Sequence, residues 1–385
     1  MSRRGSKSAD MARRGDSSRL AVRTAAALLL AAAACSLAGA ASARPRAASQ
    51  PTVYWGAVTG SVVDPVLSAG NVPSTSSFAG AVGKHPSLIP IGYTWYGCAS
   101  NGCGFTPFPT RAMAAIRSYG AIPLLSWASA NQNGGDQSQF SLAAIASGTF
   151  DSFLIQWADA AHRWGHPFFL RFDWEMNIPG LWPWSPGVSG NTPAAYVAAW
   201  RHVHDIFVRE DARNVTWVWC PNVEYSASSK PLSALYPGND AVDWSCLDGY
   251  NSGTSPHAQP PSTWRSFASI FGATYTSLTR SLAPSKPVMV AETASSEVGG
   301  SKASWIATAY GRQLAKSFPR IRAIVWYDRD NGDGMDWSLS SSSAATAAFA
   351  HAIASPYYSS GRFSTISSSP IAPPTATARK AEGGR

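Results

Sequence analysis

Short apolar runs rich in β-branched and aromatic residues alternate with helical segments along most of this chain, and this alternation limits its fold more than any other feature. The predicted strands are residues 53–58, 87–93, 121–127, 167–174, 215–220, 244–250, 287–292 and 323–327. A doubly wound nucleotide-binding sheet would favour a G-x-G-x-x-G motif after its first strand, and this chain has none there. The pattern therefore predicts an α/β fold of the (β/α)8 TIM barrel type over residues 52–355.

Three of the intervening segments have the periodicity of amphipathic helices. Apolar residues recur on one face of residues 153–164, 193–208 and 305–318. Thr192 precedes Pro193, which is the order typical of an N-cap followed by the first helical residue. These segments are predicted to cover the outside of the barrel.

The two ends of the chain are predicted to lie outside the barrel. Residues 1–43 combine seven arginines and lysines, the Ala-rich run 25–34 and the ending Ala41-Ser42-Ala43, which together predict a secretory signal peptide. Residues 44–51 form a short N-terminal segment, and residues 356–385 are predicted to be a disordered tail rich in Ser, Pro and Ala. We expect a secreted monomer that has no membrane contact after signal cleavage.

The basic character of the chain comes from its ends. The whole sequence has a formal charge of +9, but residues 51–355 hold 18 basic and 19 acidic residues. A near-neutral barrel gives no electrostatic reason to expect a nucleic-acid partner.

Five cysteines are present, and the predicted signal peptide contains Cys35. An even number remains, as is usual in exported proteins with disulfides. Cys98 and Cys103 lie in a Gly/Ser/Asn-rich loop and are predicted to form a local disulfide. Cys220 and Cys246 either pair between neighbouring strands or remain two buried thiols.

Two predicted strands end in glutamate, Glu175 on the fourth and Glu292 on the seventh. The carboxyl ends of barrel strands meet at one face, which is where TIM barrels place their chemistry. Glycoside hydrolysis needs two carboxyl groups, one protonated and one ionised, and about 5–5.5 Å apart in retaining enzymes. We predict Glu175 as the general acid/base and Glu292 as the nucleophile. Strand alternation also predicts that Asp173 pairs with Arg171.

Tryptophans at strand ends and in loops, Trp337 among them, are candidates for stacking on sugars. Trp326 is the strongest of these, whereas packing in the core is an equally good interpretation of Trp95, Trp127, Trp182 and Trp219. Trp184 is followed by Ser-Pro-Gly, and an alternative interpretation is that it packs its own loop and does not contact sugar. Asp248 either bonds the substrate or braces the rim of the site.

Residues 328–336 look superficially like a calcium-binding loop. Counting from Asp328, the twelfth position is Leu339, where a calcium loop needs a bidentate glutamate. We interpret the segment as a polar loop and expect neither a metal nor a cofactor.

Five segments resemble glycoside hydrolase family 26, and the likeness extends over residues 85–355. They are residues 169–184, 214–222, 242–251, 287–296 and 324–327. The resemblance implies a retaining (β/α)8 glycosidase in which Glu175, in a Glu-Met-Asn motif, is the acid/base and Glu292 is the nucleophile. It also implies that Tyr250 hydrogen-bonds the nucleophile and that Trp326 forms the floor of the sugar site. Members of the family are mostly endo-acting β-mannanases, and some cleave mixed-linkage β-glucan or β-1,3-xylan.

The chain departs from the family pattern at two places. Trp174 stands where the family usually has His, and the loop after Asn177 is one residue longer. Either Leu181 or Trp182 therefore takes the place of the usual loop tryptophan. The sequence predicts a secreted retaining endo-β-glycanase acting on β-1,4-linked polysaccharide, with β-mannan as the first substrate. The alternatives are a mixed-linkage β-glucanase or β-1,3-xylanase of the same fold, and an inactive carbohydrate-binding barrel.

Overall fold

Eight parallel strands close into a barrel in this protein. The computed structural model describes residues 52–60, 71–99, 102–224, 229–258, 262–332, 334–361 and 363–375. The strands are β1 (Tyr54–Val58), β2 (Leu88–Ala99), β3 (Gly102–Phe105), β4 (Ile122–Asn131), β5 (Phe168–Phe172), β6 (Val215–Trp219), β7 (Trp244–Asn251), β8 (Val288–Ser295) and β9 (Ile321–Tyr327). β3 only extends β2 as an antiparallel hairpin, and each of the other eight overlaps one predicted strand. The predicted TIM barrel is confirmed.

The barrel closes where its first strand meets both its last and its second strand. β1 pairs with β9 from Tyr54 to Val58 and touches β2 at Gly56, opposite Leu88. A Cβ atom on Gly56 would lie 2.5 Å from the carbonyl oxygen of Leu88. The strands can approach closely enough to close the barrel because residue 56 has no side chain.

Helices pack around the outside of the strands. They are α1 (Val72–Val82), α2 (Thr110–Tyr119), α3 (Leu142–Ala146), α4 (Asp151–Trp164), α5 (Pro193–Arg209), α6 (Phe267–Ser277), α7 (Lys302–Thr308), α8 (Leu314–Ser317) and α9 (Ser343–Ile353). The Thr192 hydroxyl accepts a hydrogen bond from the Ala195 amide, so α5 begins as predicted. The predicted helix at 305–318 is interrupted by a π-helical turn, Ala309–Gln313, which joins α7 to α8.

The two predicted disulfides are both present. Cys98 and Cys103 join the strands of the β2–β3 hairpin. Cys220 and Cys246 join the end of β6 to β7, so the alternative of two buried thiols is wrong. The second bridge lies beside the cleft described below, because the Glu175 amide donates to the Cys220 carbonyl at 2.8 Å.

The predicted signal peptide, residues 1–43, and the segment 44–51 lie outside the described residues. Within the described ranges, no helix combines the length and the apolar character needed to cross a membrane.

The segment after α9 differs from its prediction as a disordered tail. Tyr358 is buried and pairs with Val53 just before β1, and Ile371 is buried against the start of β6 and β7. The Trp244 indole donates to the Ile371 carbonyl at 2.8 Å, and the Ile371 amide donates to the Thr216 hydroxyl at 2.9 Å. Apolar side chains in this Ser- and Pro-rich segment therefore cover the amino-terminal end of the barrel as far as residue 375.

Candidate active site

A cleft of about 840 Å³ opens at the carboxyl ends of the barrel strands. Its wall contains both predicted carboxylates, Glu175 after β5 and Glu292 in β8. The remaining wall is mostly aromatic and neutral polar. Among the lining residues are Trp174, Trp182, Asn222, Tyr250, Arg265, Tyr327 and Trp337.

An unusual backbone turn directs Glu175 into this cleft. β5 ends at Phe172, and Asp173 and Glu175 then adopt φ angles of 41° and 53°, in the left-handed region that non-glycine residues rarely occupy. Such conformations cost about 1–3 kcal/mol each and persist only where the surroundings hold them. The Glu175 amide is held by the Cys220 carbonyl at 2.8 Å, and the Asp173 amide by the Trp127 carbonyl at 3.1 Å.

Because of the same turn, the predicted Arg171–Asp173 pair does not form, and this prediction is wrong. Because the extended strand ends at Phe172, Asp173 turns away from Arg171 and towards β4. Its carboxylate accepts hydrogen bonds from the Ser129 amide at 2.8 Å and the Ser129 hydroxyl at 2.6 Å. Burial raises the pKa of Asp173 to about 8, and the Ser129 hydrogen bonds offset only part of that effect.

The carboxyl group of Glu175 is buried between two donors. Asn222 Nδ2 donates to Oε1 at 2.6 Å, and the Trp182 indole donates to Oε2 at 3.1 Å. Burial raises the pKa of Glu175 above its usual value, and the charge of Glu292 adds to the rise. Arg171 and the two donors only partly oppose it. A carboxyl group in this environment can hold a proton near neutral pH and release it to a bound oxygen.

The carboxylate of Glu292 has a different environment. Arg171 Nη1 donates to Oε1 at 2.6 Å, and the Tyr250 hydroxyl donates to Oε2 at 2.5 Å. Both oxygens of this carboxylate are therefore held by strong donors, one of them charged. The two glutamates share one cleft but have different hydrogen-bonding environments.

Arg171 connects the cleft to the barrel interior. It is buried and forms a second ion pair with Asp248, which is fully buried at β7. Burial alone would lower the pKa of Arg171, but Asp248 and Glu292 together raise it above its usual value. Asp248 lies below the cleft surface, so it braces Arg171, and the alternative that it bonds the substrate is wrong.

The loop after Asn177 places Trp182, and not Leu181, beside the acid. Trp182 lines the cleft and bonds Glu175, whereas Leu181 is 50% exposed at the rim. Trp174 also lines the cleft, and the Arg171 guanidinium carbon lies 5.0 Å from the centre of its ring. Trp184 stacks on Trp182 and donates to the Trp174 carbonyl, so it packs the loop.

Four of the tryptophans considered for sugar stacking have no exposed surface, so core packing is the correct interpretation for three of them and the prediction that Trp326 stacks on sugar is wrong. Trp95, Trp127, Trp219 and Trp326 are each 0% exposed. They belong to the aromatic layer around the barrel: for example, Trp127 stacks on Trp157 of α4 with ring centres 4.2 Å apart.

Trp337, which was also a predicted sugar-stacking candidate, lines the cleft, whereas Trp326, predicted as the floor of the sugar site, does not. The Trp337 carbonyl accepts the Trp326 indole N–H at 3.2 Å, and the Trp337 ring lies 5.1 Å from that of Tyr250. The sequence prediction omits Asn222 and Arg265, which line the cleft, from the site. The position of Asn222 at the end of β6 is the signal that could have identified it, since neighbouring strand ends supply the other site residues.

The polar loop after β9 uses its acids to hold its own backbone. Asp328 accepts from the Leu339 amide at 2.7 Å, and Asp336 accepts from the Ser338 amide at 2.8 Å. Lys302 is buried against the same loop and donates to the Asp336 and Ser338 carbonyls. Among the described residues, the one cluster with metal-ligand spacing is Cys220, Cys246 and Asp248, whose cysteines form a disulfide.

Comparison with known proteins shows a likeness to one family of enzymes. The model of glycosyl hydrolase family 26 matches residues 151–309, the range that contains both Glu175 and Glu292. The predicted resemblance to family 26 is confirmed. The predicted enzyme class, a glycoside hydrolase, agrees with this match.

One curated relative and two solved structures illustrate the likeness. Endoglucanase H of Acetivibrio thermocellus is 34% identical over 242 residues, which is 62% of this chain. The chain spans about a quarter of that relative, since the match covers 25% of it.

The solved structures are the catalytic domain of a family 26 endo-β-1,4-mannanase from Bacillus sp. JAMB-750 and a family 26 β-mannanase from Bacteroides ovatus. The first has a TM-score of 0.56 and 17% identity, covering 80% of this chain and 87% of its own. The second has a TM-score of 0.55 and 15% identity, covering 82% of this chain and 93% of its own. At these identities the structures support the barrel fold alone.

Proposed function

We propose that this protein is a retaining endo-β-glycanase whose catalytic carboxyl groups are Glu175 and Glu292. The observation that carries the proposal is the difference between their environments. Glu175 is buried with a raised pKa, while Glu292 is paired with Arg171 and accepts from Tyr250. A double displacement needs this division of roles.

In the first step, the Glu292 carboxylate attacks the anomeric carbon and the glycosidic bond breaks. The Glu175 carboxyl group gives its proton to the leaving oxygen. In the second step, Glu175 takes a proton from water, which attacks the anomeric carbon and breaks the ester to Glu292. Each glutamate returns to its starting state, and the product keeps its anomeric configuration.

β-Mannan is the first candidate substrate, as the resemblance to family 26 implies. Mixed-linkage β-glucan is the second, because the relative with 34% identity is named an endoglucanase. β-1,3-Xylan is a third polymer to test. Release of reducing sugar from each polymer would identify the substrate.

Two glutamine variants test the catalytic roles separately. Glu292→Gln should lose activity on every substrate. For Glu175→Gln, the rate of polysaccharide hydrolysis should fall by about 10²–10⁴-fold. The rate should fall much less on an aryl glycoside, because its acidic phenol leaves without protonation. Glu210→Gln, at the C-terminus of α5, is the matched control and should retain activity. Near-full activity of Glu292→Gln would overturn the proposal.

Product analysis tests the retaining mechanism independently. Proton NMR during hydrolysis should detect the β-anomer before mutarotation, and first appearance of the α-anomer would contradict the mechanism. Binding without product release on all polymers would instead support a non-catalytic carbohydrate-binding barrel.

We further propose that the chain is exported as a monomer after loss of residues 1–43. Sequencing the N-terminus of protein recovered from culture medium would test the cleavage. A protein retained in the cell with residues 1–43 attached would contradict it.

A further inference from the structure

A second cavity lies on the other side of the loop that forms one wall of the cleft. Thr263 and Arg265 line the cleft, while Trp264 and Ser266 line this second cavity, which has a volume of about 200 Å³. Residues on a single loop thus contribute alternately to two separate cavities.

Aromatic rings form the apolar part of the second cavity. Trp264 is half-buried, and Gly300 packs so closely against it that a Cβ atom at residue 300 would lie 2.5 Å from the indole ring. Trp305 is nearly buried and donates its indole N–H to the Arg265 carbonyl at 2.9 Å. Both rings are held in place, and they present apolar surface to the cavity.

Gln313 supplies an acceptor without a partner. Its side-chain oxygen is buried and accepts no hydrogen bond from the described residues. Leaving a buried acceptor unsatisfied costs about 1–3 kcal/mol. Gln313 lines the cavity at the end of the π-helical turn between α7 and α8. Its oxygen lies below the cavity surface, so a rotation of the partly exposed side chain would bring it to a donor inside the cavity.

Apart from Phe267, the other lining residues are neutral and polar. Ser301, Ser304 and Thr308 contribute to the wall, and no charged residue does among those described. Aromatic surface beside neutral polar groups suits a ligand that has an apolar face and a rim of hydroxyl groups. A charged ligand would find no counter-ion here.

We infer that this cavity is a second saccharide-binding site, which takes a neutral sugar unit of the polysaccharide outside the catalytic cleft. The sugar would pack a C–H face against Trp264 and donate a hydroxyl hydrogen bond to the Gln313 oxygen. The choice of a β-linked glycan as ligand rests on the proposed function. The site would hold a polymer on the protein near the bond to be cleaved.

The test is calorimetric titration of the Glu292→Gln protein with mannotetraose and with cellotetraose. At least one of these should occupy two sites, one in the cleft and one in the second cavity. Adding Trp264→Ala or Gln313→Leu should weaken the second event by roughly tenfold or more. Adding Trp164→Ala, which removes a half-buried tryptophan from α4, should leave both events in place.

Gln313→Leu also guards against loss of folding. It replaces an unsatisfied buried oxygen with apolar atoms of similar size, so its unfolding midpoint should be unchanged or higher. Titrations that fit one site for both tetrasaccharides would overturn the inference, because the cavity would then hold only solvent. If the Glu292→Gln protein shows a second binding event but the native protein hydrolyses no polymer, the result would contradict the proposed function but not this site.

Discussion

The Arg171 guanidinium binds the Glu292 carboxylate at 2.6 Å and also pairs with Asp248, so one buried cation serves two carboxylates. The three residues come from three different barrel strands, β5, β8 and β7. The position of Glu292 therefore depends on closure of the barrel and not on its own strand alone.

Arg171→Met should strongly destabilise the fold. Removing the cation leaves Asp248 and Glu292 without their shared partner, and breaking a buried pair costs about 3–5 kcal/mol. Arg201→Met is the matched control, because the Arg201–Asp240 pair is exposed and such pairs contribute about 0–1 kcal/mol. Urea denaturation would measure the free energy of unfolding of both variants. Equal losses of this free energy in the two variants would contradict the structural role of Arg171.

Tyr250→Phe should lower kcat while the fold remains stable. The variant loses one hydrogen bond to the Glu292 carboxylate, and bonds to charged groups contribute about 1.5–3 kcal/mol, which corresponds to roughly 10–100-fold in rate. Burial raises the pKa of Tyr250 well above its usual value, so the hydroxyl remains a donor. Tyr236→Phe loses a bond to Asn239 outside the cleft and should retain activity; a similar rate loss in both variants would count against the prediction.

Loss of a donor to Glu175 should move the alkaline limb of the kcat/KM profile to higher pH. Asn222 and Trp182 each lower the pKa of Glu175, so Asn222→Ala or Trp182→Phe should raise it and keep the acid protonated further into the alkaline range. Trp184→Phe is the control, since its indole bonds the Trp174 carbonyl instead. A shift towards lower pH would show that Glu175 is not the group that limits the alkaline side.

Asp173→Asn should flatten the dependence of stability on pH. The pKa of Asp173 is raised from 3.8 to about 8, so between these values the folded state keeps a proton that the unfolded state releases. Stability conferred by this group therefore falls as pH rises through that window, by up to about 1.4 kcal/mol per unit. Asparagine keeps both Ser129 contacts, so denaturation midpoints of the variant at several pH values should diverge from those of the native protein as pH rises. Parallel curves would contradict the prediction.

The sequence predicted all eight barrel strands because each is an apolar, β-rich run bounded by polar residues. It also predicted that Glu175, Glu292 and Tyr250 lie at strand ends, and the barrel brings these three together. It could not predict the left-handed turn at Asp173, which depends on contacts with Trp127 and Cys220 on neighbouring strands. That turn is why the predicted Arg171–Asp173 pair was wrong.

The tryptophans were harder to assign for a related reason. A residue at a strand end faces either the cleft or the helices, and a change of one position reverses its direction. Trp326 faces Trp305, Tyr310 and Phe349, whereas Trp337 reaches the cleft from the following loop. Amino-acid type alone does not distinguish these two environments.

Truncation after Ser355 should destabilise the barrel, although that residue ends the predicted domain. The shortened chain lacks Tyr358, Phe363 and Ile371, which contact β1, β6 and β7 near their first residues. Thermal unfolding should begin at a clearly lower temperature than in a chain that ends at residue 375. Equal midpoints would show that this segment adds nothing to stability.

The order of synthesis gives this segment a further consequence. Val53 pairs with Tyr358, and β1 pairs with β9, so the first barrel strand must wait for partners that are translated after the other barrel strands. Contacts between residues this far apart slow folding, because a long loop must be ordered before they form. The barrel of the nascent chain thus cannot close until β9 is available, and its catalytic geometry is complete only after that closure.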